Sequence, residues 1–252
     1  MPPIKGQSIL VIGGSSGIGA GVAKLAAAEG ASIAIASSNP SRVDSAVKGL
    51  EALFPDSQIT GHVCDLRKDA IESVIEKLFG DVTAGGTQLL DHVVFTAGII
   101  DVKQLQEADL EYLRSAGQLA LYAPLLIAKL APRYLKASYT SSLIFCGGVV
   151  GEKPQANYTI PAGFAAGLFG LTRALALELA PLRVNMVSPG PTQTELWGPE
   201  PGRAQRAEAI AKRLLLGKVG TPEEVGEAFL YLMKDTNTTG TCVSTSGGVL
   251  LQ

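Results

Sequence analysis

The sequence predicts an α/β fold, a doubly wound parallel sheet of about seven strands with helices on both faces. The chain has 252 residues, of which 46% are hydrophobic and 17% charged, enough for one large core and too few residues for two ordinary α/β domains. Short apolar runs alternate with helical patterns along the whole chain. Repeated strand–helix units with near-continuous apolar strands are typical of a parallel sheet that is covered on both sides.

Apolar runs define the strands, and 3.6-residue periodicity defines the helices between them. The predicted strands are Ser8–Ile12, Ser32–Ala36, Ile59–Cys64, His92–Thr96, Ser142–Cys146, Arg183–Ser188 and Thr241–Ser244. The predicted helices are Gly17–Glu29, Ser41–Leu53, Lys68–Phe79, Asp109–Leu135 and Pro161–Leu179.

A single domain spans residues 1–252, because no linker or low-complexity segment interrupts the pattern. Residues 190–213 follow the sixth strand and mix turn residues with a helical pattern. Since this segment would overhang the carboxyl edge of the sheet, we predict that it is a substrate lid.

Composition argues against several classes of function. The net charge is −2 and no basic stripe is visible, so we expect no nucleic-acid partner. Cys64, Cys146 and Cys242 lack disulfide-framework spacing, which predicts free thiols and a cytoplasmic location. His62 and His92 lack metal-ligand spacing, so no metal is expected. Because the N-terminal residues run directly into the first strand, we expect no signal peptide, and because no stretch reaches roughly 18 uncharged apolar residues, we predict no membrane span.

A glycine-rich turn, Gly13-Gly14-Ser15-Ser16-Gly17-Ile18-Gly19, joins the first strand to the first helix. Small residues let the backbone approach a pyrophosphate, and a helix N-terminus offers free N–H groups and a positive dipole end. In this strand–turn–helix context the run predicts a Rossmann-type dinucleotide site. The alternative is a tight turn that binds no ligand.

This turn resembles the Gly-x-x-x-Gly-x-Gly fingerprint of the short-chain dehydrogenase/reductase family. Other landmarks of that family follow in order: Asp65 and Leu66 after the third strand, Thr96-Ala97-Gly98 after the fourth, and Pro189, Gly190, Thr192 and Thr194 after the sixth. The resemblance implies that Gly13, Ser15, Ser16, Gly17, Ile18, Gly19 and all of these landmark residues bind a nicotinamide dinucleotide.

The end of the second strand predicts which nucleotide is bound. It reads Ser37-Ser38-Asn39, with no carboxylate before Asp44, whereas NAD-binding proteins carry an acidic residue here for the ribose 2′-hydroxyl. Hydroxyls, an amide and Arg42 are suited to a 2′-phosphate, so we predict NADP(H). The alternative, that these residues only cap the next helix, is compatible with the first.

The resemblance also locates the family's catalytic positions, and none carries its usual side chain. The serine, tyrosine and lysine positions are Gly148, Pro161 and Ala165, and the asparagine position falls near Ala120. The remaining catalytic candidates are Gln155 and Tyr158, although an unassisted tyrosine has a pKa of about 10 and is poorly matched to proton transfer at neutral pH. For the substrate pocket we predict Cys146, Tyr158, Glu195 and Trp197.

Ketone reduction needs a hydride and a proton donor, whereas iminium reduction needs only the hydride. Segments such as Val93–Ala97, Ala123–Tyr134 and Tyr231–Asp235 resemble an atypical fungal branch that includes NADPH-dependent reductase/Diels–Alderases of prenylated indole alkaloid biosynthesis. The resemblance implies an imine or iminium reductase of natural-product biosynthesis, with or without a coupled cyclisation. The chain departs from that branch at Gln155, where the branch has an acidic residue.

Two alternatives stay open: a non-redox cyclase or isomerase that uses NADP(H) as a structural wall, and a catalytically silent scaffold. We also expect a dimer or tetramer, because members of this family pair through their long helices. Here Leu119–Leu130 and Ala162–Leu179 are rich in Ala, Gly and Leu and poor in charge.

Overall fold

A computed structural model describes residues 1–99 and 101–252. Its centre is a parallel sheet with the strand order β3-β2-β1-β4-β5-β6-β7. The strands are β1 (Ser8–Ile12), β2 (Ser32–Ser37), β3 (Ile59–Val63), β4 (His92–Phe95), β5 (Ser142–Cys146), β6 (Arg183–Pro189) and β7 (Cys242–Thr245). The predicted fold class is confirmed, and each predicted strand is present with boundaries that differ by one residue at most.

Helices lie on both faces of the sheet. They are α1 (Gly17–Ala28), α2 (Pro40–Leu53), α3 (Ile71–Val82), α4 (Leu110–Gly117), α5 (Ala123–Tyr134), α6 (Thr159–Glu178), α7 (Gly202–Ala211) and α8 (Pro222–Lys234). A π-helical turn, Gln118–Tyr122, joins α4 directly to α5. The segment Asp109–Leu135, predicted as a single helix, is therefore a continuous helical segment with one wider, π-helical turn. Such π-turns often mark functional sites.

The two faces of the sheet pack into two separate hydrophobic clusters. Leu10 and Ile12 of β1 join the cluster that is covered by α3, α5 and α6, whereas Ile9 and Val11 join the cluster beneath α1 and α8. Successive strand residues point to opposite faces, so a strand between two helical layers must be apolar at every position. This is why β1 reads as an unbroken apolar run.

Helix α8 is an element that the helical-pattern analysis missed. It begins with a capping box in which the Thr221 side chain accepts from the Glu224 N–H and the Glu224 side chain accepts from the Thr221 N–H. Pro222 stands at its first turn, and Phe229 is fully buried against the sheet. Both the Thr-x-x-Glu box and the proline are start signals that the sequence displays.

Helix α6 bears on the prediction that no segment is apolar and long enough to span a membrane. It has 20 residues and a mean hydropathy of 1.5, so length and composition alone would allow a span. The prediction counted only uncharged stretches, and this helix carries Arg173 on its exposed face. Ile160, Leu168 and Leu175 of α6 are buried.

The strand order reverses direction between β1 and β4, since the chain first builds outward through β2 and β3 and then returns to the other side of β1. In open α/β sheets, ligands bind outside the carboxyl ends of the strands at such a switch point. The candidate site should therefore lie beyond Ile12 and Phe95.

Candidate functional site

A cleft of about 330 Å³, which we name the polar cleft after the serine, threonine, arginine and aspartate residues in its lining, lies at this switch point, at the carboxyl ends of β1 to β4. It brings together fourteen of the nineteen predicted cofactor residues: Gly13, Ser16, Gly17, Ile18, Gly19, Ser37, Ser38, Arg42, Asp65, Leu66, Thr96, Ala97, Gly98 and Thr194. It also contains residues that sequence reasoning did not assign to it: Ile12, Ala36, Cys64, Arg67, Ile99, Leu119, Glu195 and Leu196.

Gly13 fixes the floor of the cleft. Its φ is +94°, and a Cβ built there would lie 2.6 Å from the Ala97 nitrogen and 2.7 Å from Thr96 Oγ1. Its N–H donates to the Ala36 carbonyl at 2.8 Å, while Thr96 Oγ1 donates to the Ile12 carbonyl at 3.1 Å. Only glycine fits where the ends of β1, β2 and β4 meet. The absence of a side chain there lets a dinucleotide pyrophosphate approach the backbone closely.

Two arginines line the end of the cleft that lies beyond β2 and β3. Arg42 and Arg67 face the same space as Ser37 and Ser38. Arg67 Nε donates to Asp65 Oδ1 at 3.1 Å, and this hydrogen bond holds the pKa of Asp65 below its usual range. A guanidinium that keeps free N–H groups next to a carboxylate is suited to bind a phosphate. The Asp65-x-Arg67 spacing was the sequence signal for this second arginine.

Five predicted cofactor residues lie outside the cleft lining: Ser15, Asn39, Pro189, Gly190 and Thr192. Asn39 caps α2, where its side chain accepts from the Arg42 N–H at 3.0 Å. Thr192 Oγ1 turns back to the Gly190 carbonyl at 3.0 Å. The capping interpretation of the 37–39 segment therefore applies to Asn39, while the two serines face the cleft.

The segment 190–213, predicted as a substrate lid, reaches the glycine-rich turn. Glu195 Oε2 accepts a hydrogen bond from the Gly17 N–H at 2.9 Å, although the two residues are 178 positions apart in the chain. Thr194, Glu195 and Leu196 all line the polar cleft. Glu195, predicted for the substrate pocket, therefore lies at the first turn of α1.

A second, apolar cavity of about 210 Å³ adjoins the cleft and shares Ala97, Gly98, Ile99 and Leu119 with it. The rest of its lining is Phe95, Asp101, Tyr112, Ala116, Ala120, Cys146, Gly147, Ile160, Pro161, Phe164, Ala165 and Leu168. Three of the four predicted family catalytic positions, Ala120, Pro161 and Ala165, meet here, and Gly148 follows directly after Gly147. These positions supply only hydrogen or hydrocarbon side chains.

Few side chains bring polar groups to the apolar cavity. Asp101 supplies a carboxylate on an exposed loop, and the buried Tyr112 holds that loop by donating from its hydroxyl to the Asp101 carbonyl at 2.9 Å. Cys146 lies at the end of β5, and burial raises the pKa of its thiol to about 12. A thiol with such a pKa stays protonated at neutral pH and is a poor proton donor.

Two residues predicted for the substrate pocket lie elsewhere. Tyr158 is the half-buried N-cap residue of α6, and Trp197 lies beneath Arg206 of α7 at 5.4 Å from ring centroid to guanidinium carbon. Within residues 1–99 and 101–252, neither residue lines the cleft or the cavity. The exposed Gln155 accepts a backbone hydrogen bond from Tyr158 in the turn before α6 and also stays outside both. Side-chain direction, which spacing does not encode, decides these placements.

The cysteines carry no disulfide, and His92 is a buried residue of the fold. Cys64, Cys146 and Cys242 are free thiols, as predicted. His92 is buried between Ser142 Oγ and Gln7 Oε1, each at 2.8 Å, and burial lowers its pKa to about 3. Among the residues that the structure describes, no three His, Cys, Asp or Glu side chains cluster in a way that could hold a metal ion.

Comparison with known proteins matches residues 4–252 to the SDR-like Rossmann domain model. The chain is 48% identical to the short-chain dehydrogenase/reductase ATR9 of Stachybotrys chlorohalonatus, with all of both chains covered. It is 35% identical to the short-chain dehydrogenase/reductase malC of Malbranchea aurantiaca, covering 99% of this chain and 96% of that one. Both relatives are fungal.

Solved structures agree with these matches. The MalC reductase/Diels–Alderase of Malbranchea aurantiaca superposes with a TM-score of 0.92 at 33% identity, covering 99% of this chain and 98% of the other. A short-chain oxidoreductase of Pseudomonas aeruginosa, whose NADPH-bound structure contains an atypical catalytic center, superposes with a TM-score of 0.88 at 25% identity over 96% of each chain.

Proposed function

The chain belongs to the short-chain dehydrogenase/reductase family, whose Rossmann fold binds a nicotinamide cofactor, and we propose that it reduces an iminium carbon, or an imine already protonated to the iminium ion in solution, at the expense of NADPH. The observation that carries this proposal is the apolar cavity next to the polar cleft. Its lining offers a carboxylate to a cation and, at the family's catalytic positions, no proton donor to a carbonyl.

The polar cleft is suited to NADP(H) rather than NAD(H). The turn after β1 would lie against the pyrophosphate, where Gly13 leaves room and α1 presents its N-terminus. Arg42, Arg67, Ser37 and Ser38 would bind the 2′-phosphate, and the end of β2 carries no carboxylate to repel it. When bound, the cofactor supplies a hydride to the neighbouring cavity.

The residues of the apolar cavity would bind and orient an electron-poor substrate. Hydride addition to a C=N⁺ carbon forms a C–H bond and leaves a neutral amine, so no proton is needed in that step. Asp101, on the exposed loop of the cavity lining, would attract the cationic nitrogen, although water screens part of this attraction. Phe95, Phe164 and Leu168 would exclude water.

A coupled or alternative cyclisation rests on the same cavity and on the likeness to a protein that is named a reductase/Diels–Alderase. A rigid hydrocarbon cavity lowers the entropic barrier of an intramolecular closure by holding the reacting ends together. In the non-redox alternative, NADP(H) would form one wall of this cavity and leave unchanged.

The test is NADPH absorbance with a cyclic iminium ion, the matching cyclic imine and a ketone of the same skeleton. We expect NADPH oxidation with the iminium ion and none with the ketone, and deuterium from 4-deuterated NADPH in the amine product. Because NADPH reduces some iminium ions without an enzyme, a Gly13→Ala variant is the control. Ketone reduction at a comparable rate would refute the proposal, and an unreduced isomer of the substrate would favour the cyclase.

We further propose a cytoplasmic homo-oligomer that pairs through α5 and α6. Only 28% of the residues in the most apolar 18-residue stretch of α6 are buried, and its Leu177 is 84% exposed. A large exposed apolar face favours association with a second copy. Light scattering at micromolar concentration should give the mass of a dimer or tetramer.

A further inference from the structure

The contact between the lid and the glycine-rich turn uses the N–H group that a pyrophosphate would need. Glu195 Oε2 lies 2.9 Å from the Gly17 nitrogen, at the first residue of α1. The first turn of α1 contains no acidic residue, and its N-cap residue Ser16 makes no side-chain capping bond. The Glu195 carboxylate, from a distant part of the chain, therefore supplies the negative charge at the N-terminus of α1.

The lid fits this position closely. Gly17 has a φ of +55°, and a Cβ built there would lie 3.3 Å from the Thr194 side chain and 3.8 Å from Glu195 Oε2. On its other side, Glu195 Oε1 lies 3.9 Å from an Arg203 guanidinium nitrogen, and Arg203 Nε also donates to Glu200 at 2.7 Å. Arg203 of α7 thus links the Glu195 turn to the rest of the lid.

A carboxylate and a phosphate are alternative ligands for one helix N-terminus, and both cannot occupy the same N–H group. We infer that Glu195 is an internal competitor of the cofactor: it closes the pyrophosphate position in the free protein and must leave when NADP(H) binds. The lid would then open at the moment when the cofactor enters. This inference rests on the proposed use of NADP(H), and it assigns a regulatory role to a residue of the same site.

The competition has a directional consequence for affinity. Removing the negative charge should strengthen cofactor binding, whereas removal of a residue that merely contacts the cofactor should weaken it. We expect Glu195→Ala and Glu195→Gln to bind NADPH about tenfold more tightly than the parent protein, a gain of about 1.4 kcal/mol. The Glu195→Gln variant keeps a side-chain oxygen that can accept from the Gly17 N–H. Its gain in NADPH affinity should therefore not exceed that of Glu195→Ala.

The experiment is a fluorescence titration of NADPH into the full chain and its variants. The matched control is Glu208→Gln, which removes the same charge from an exposed position of α7 that pairs with Lys212 instead. A second control is the ligand 2′-AMP, which carries the 2′-phosphate and adenosine but no pyrophosphate. We expect the Glu208 variant to match the parent protein, and 2′-AMP to bind the parent and Glu195 variants equally.

The outcomes separate this inference from the proposed function. Equal or weaker NADPH binding by both Glu195 variants would overturn the inference and leave the reductase proposal intact. Equally improved binding of 2′-AMP would also overturn it, because the effect would then be a general loosening of the lid. A chain that binds no NADPH in any variant would overturn both.

Discussion

The polar cleft and the apolar cavity share a wall at Ala97–Ile99, but different parts of the chain build them. The cleft consists largely of backbone: a turn pinned by Gly13, a helix N-terminus and the ends of four strands. The cavity consists of side chains that project from the π-turn, β5 and α6. Side chains can be substituted without altering the fold, whereas a site built from backbone changes only when the fold changes. A cofactor site of this kind can therefore persist where the side chains of the neighbouring cavity differ.

The largest expected effect tests whether backbone space defines the cleft. Gly13→Ala would force a Cβ to within 2.6 Å of the Ala97 nitrogen at a positive φ, so we expect NADPH affinity to fall by at least about a hundredfold and the protein to be destabilised. The matched control is Gly49→Ala in α2, where nothing lies within 4 Å of the new carbon. That variant should be as stable as the parent or more so in thermal denaturation, and NADPH binding should be unchanged. Near-parental affinity in the Gly13 variant would mean that the cleft is not shaped by this turn.

The next effect concerns the side chains that the cleft does use. We expect the double variant Arg42→Ala/Arg67→Ala to bind NADPH about thirtyfold more weakly, because each guanidinium would form charge-assisted hydrogen bonds to the 2′-phosphate. NADH lacks that phosphate, so its affinity should change by no more than about threefold. Lys68→Ala, a neighbouring change of charge outside the lining, should leave both affinities unchanged. An equal loss for the two nucleotides would remove the basis for NADP preference.

A smaller effect tests the charged group of the cavity. Asp101→Asn should lower kcat/KM for an iminium substrate by about tenfold, since the amide no longer attracts the cation. Its NADPH affinity should stay at the parental value, because Asp101 lines the cavity and not the cleft. Glu107→Gln on the same exposed segment is the matched control. If the two variants had the same kcat/KM, the carboxylate would have no part in substrate binding.

The smallest effect is expected at Cys146. Burial raises the pKa of its thiol to about 12, above the usual value for cysteine, so the thiolate should be scarce at every pH up to about 9. We expect Cys146→Ala to change kcat/KM by about threefold or less and to leave its pH profile unaltered. In the parent protein, iodoacetamide should modify Cys146 more slowly than it modifies the amino acid cysteine in solution. A pH-dependent step that disappeared with the thiol would identify it as an acid after all.

Most of the fold was predictable because apolar runs and periodicity are local signals. The strands were found to within one residue at each end. The inner strands are buried on both faces and are largely apolar, whereas the edge strands β3 and β7 are only partly covered. Helix α8 was missed although Thr221, Pro222 and Glu224 are residues typical of a helix start. The π-turn at Gln118–Tyr122 has no such signal, because a change from four-residue to five-residue hydrogen bonding depends on what the helix packs against.

The sequence by itself determined the order of strands and helices along the chain, the glycine turn and the identity of the residues at each strand end. Those features follow from chain connectivity and local conformational preference. Only the tertiary structure decided which side chains meet: that Arg67 joins Arg42, that Glu195 reaches Gly17, and that Trp197 packs beneath Arg206. Such meetings depend on side-chain direction and on contacts between residues far apart in the chain, and neither leaves a periodic trace in the sequence.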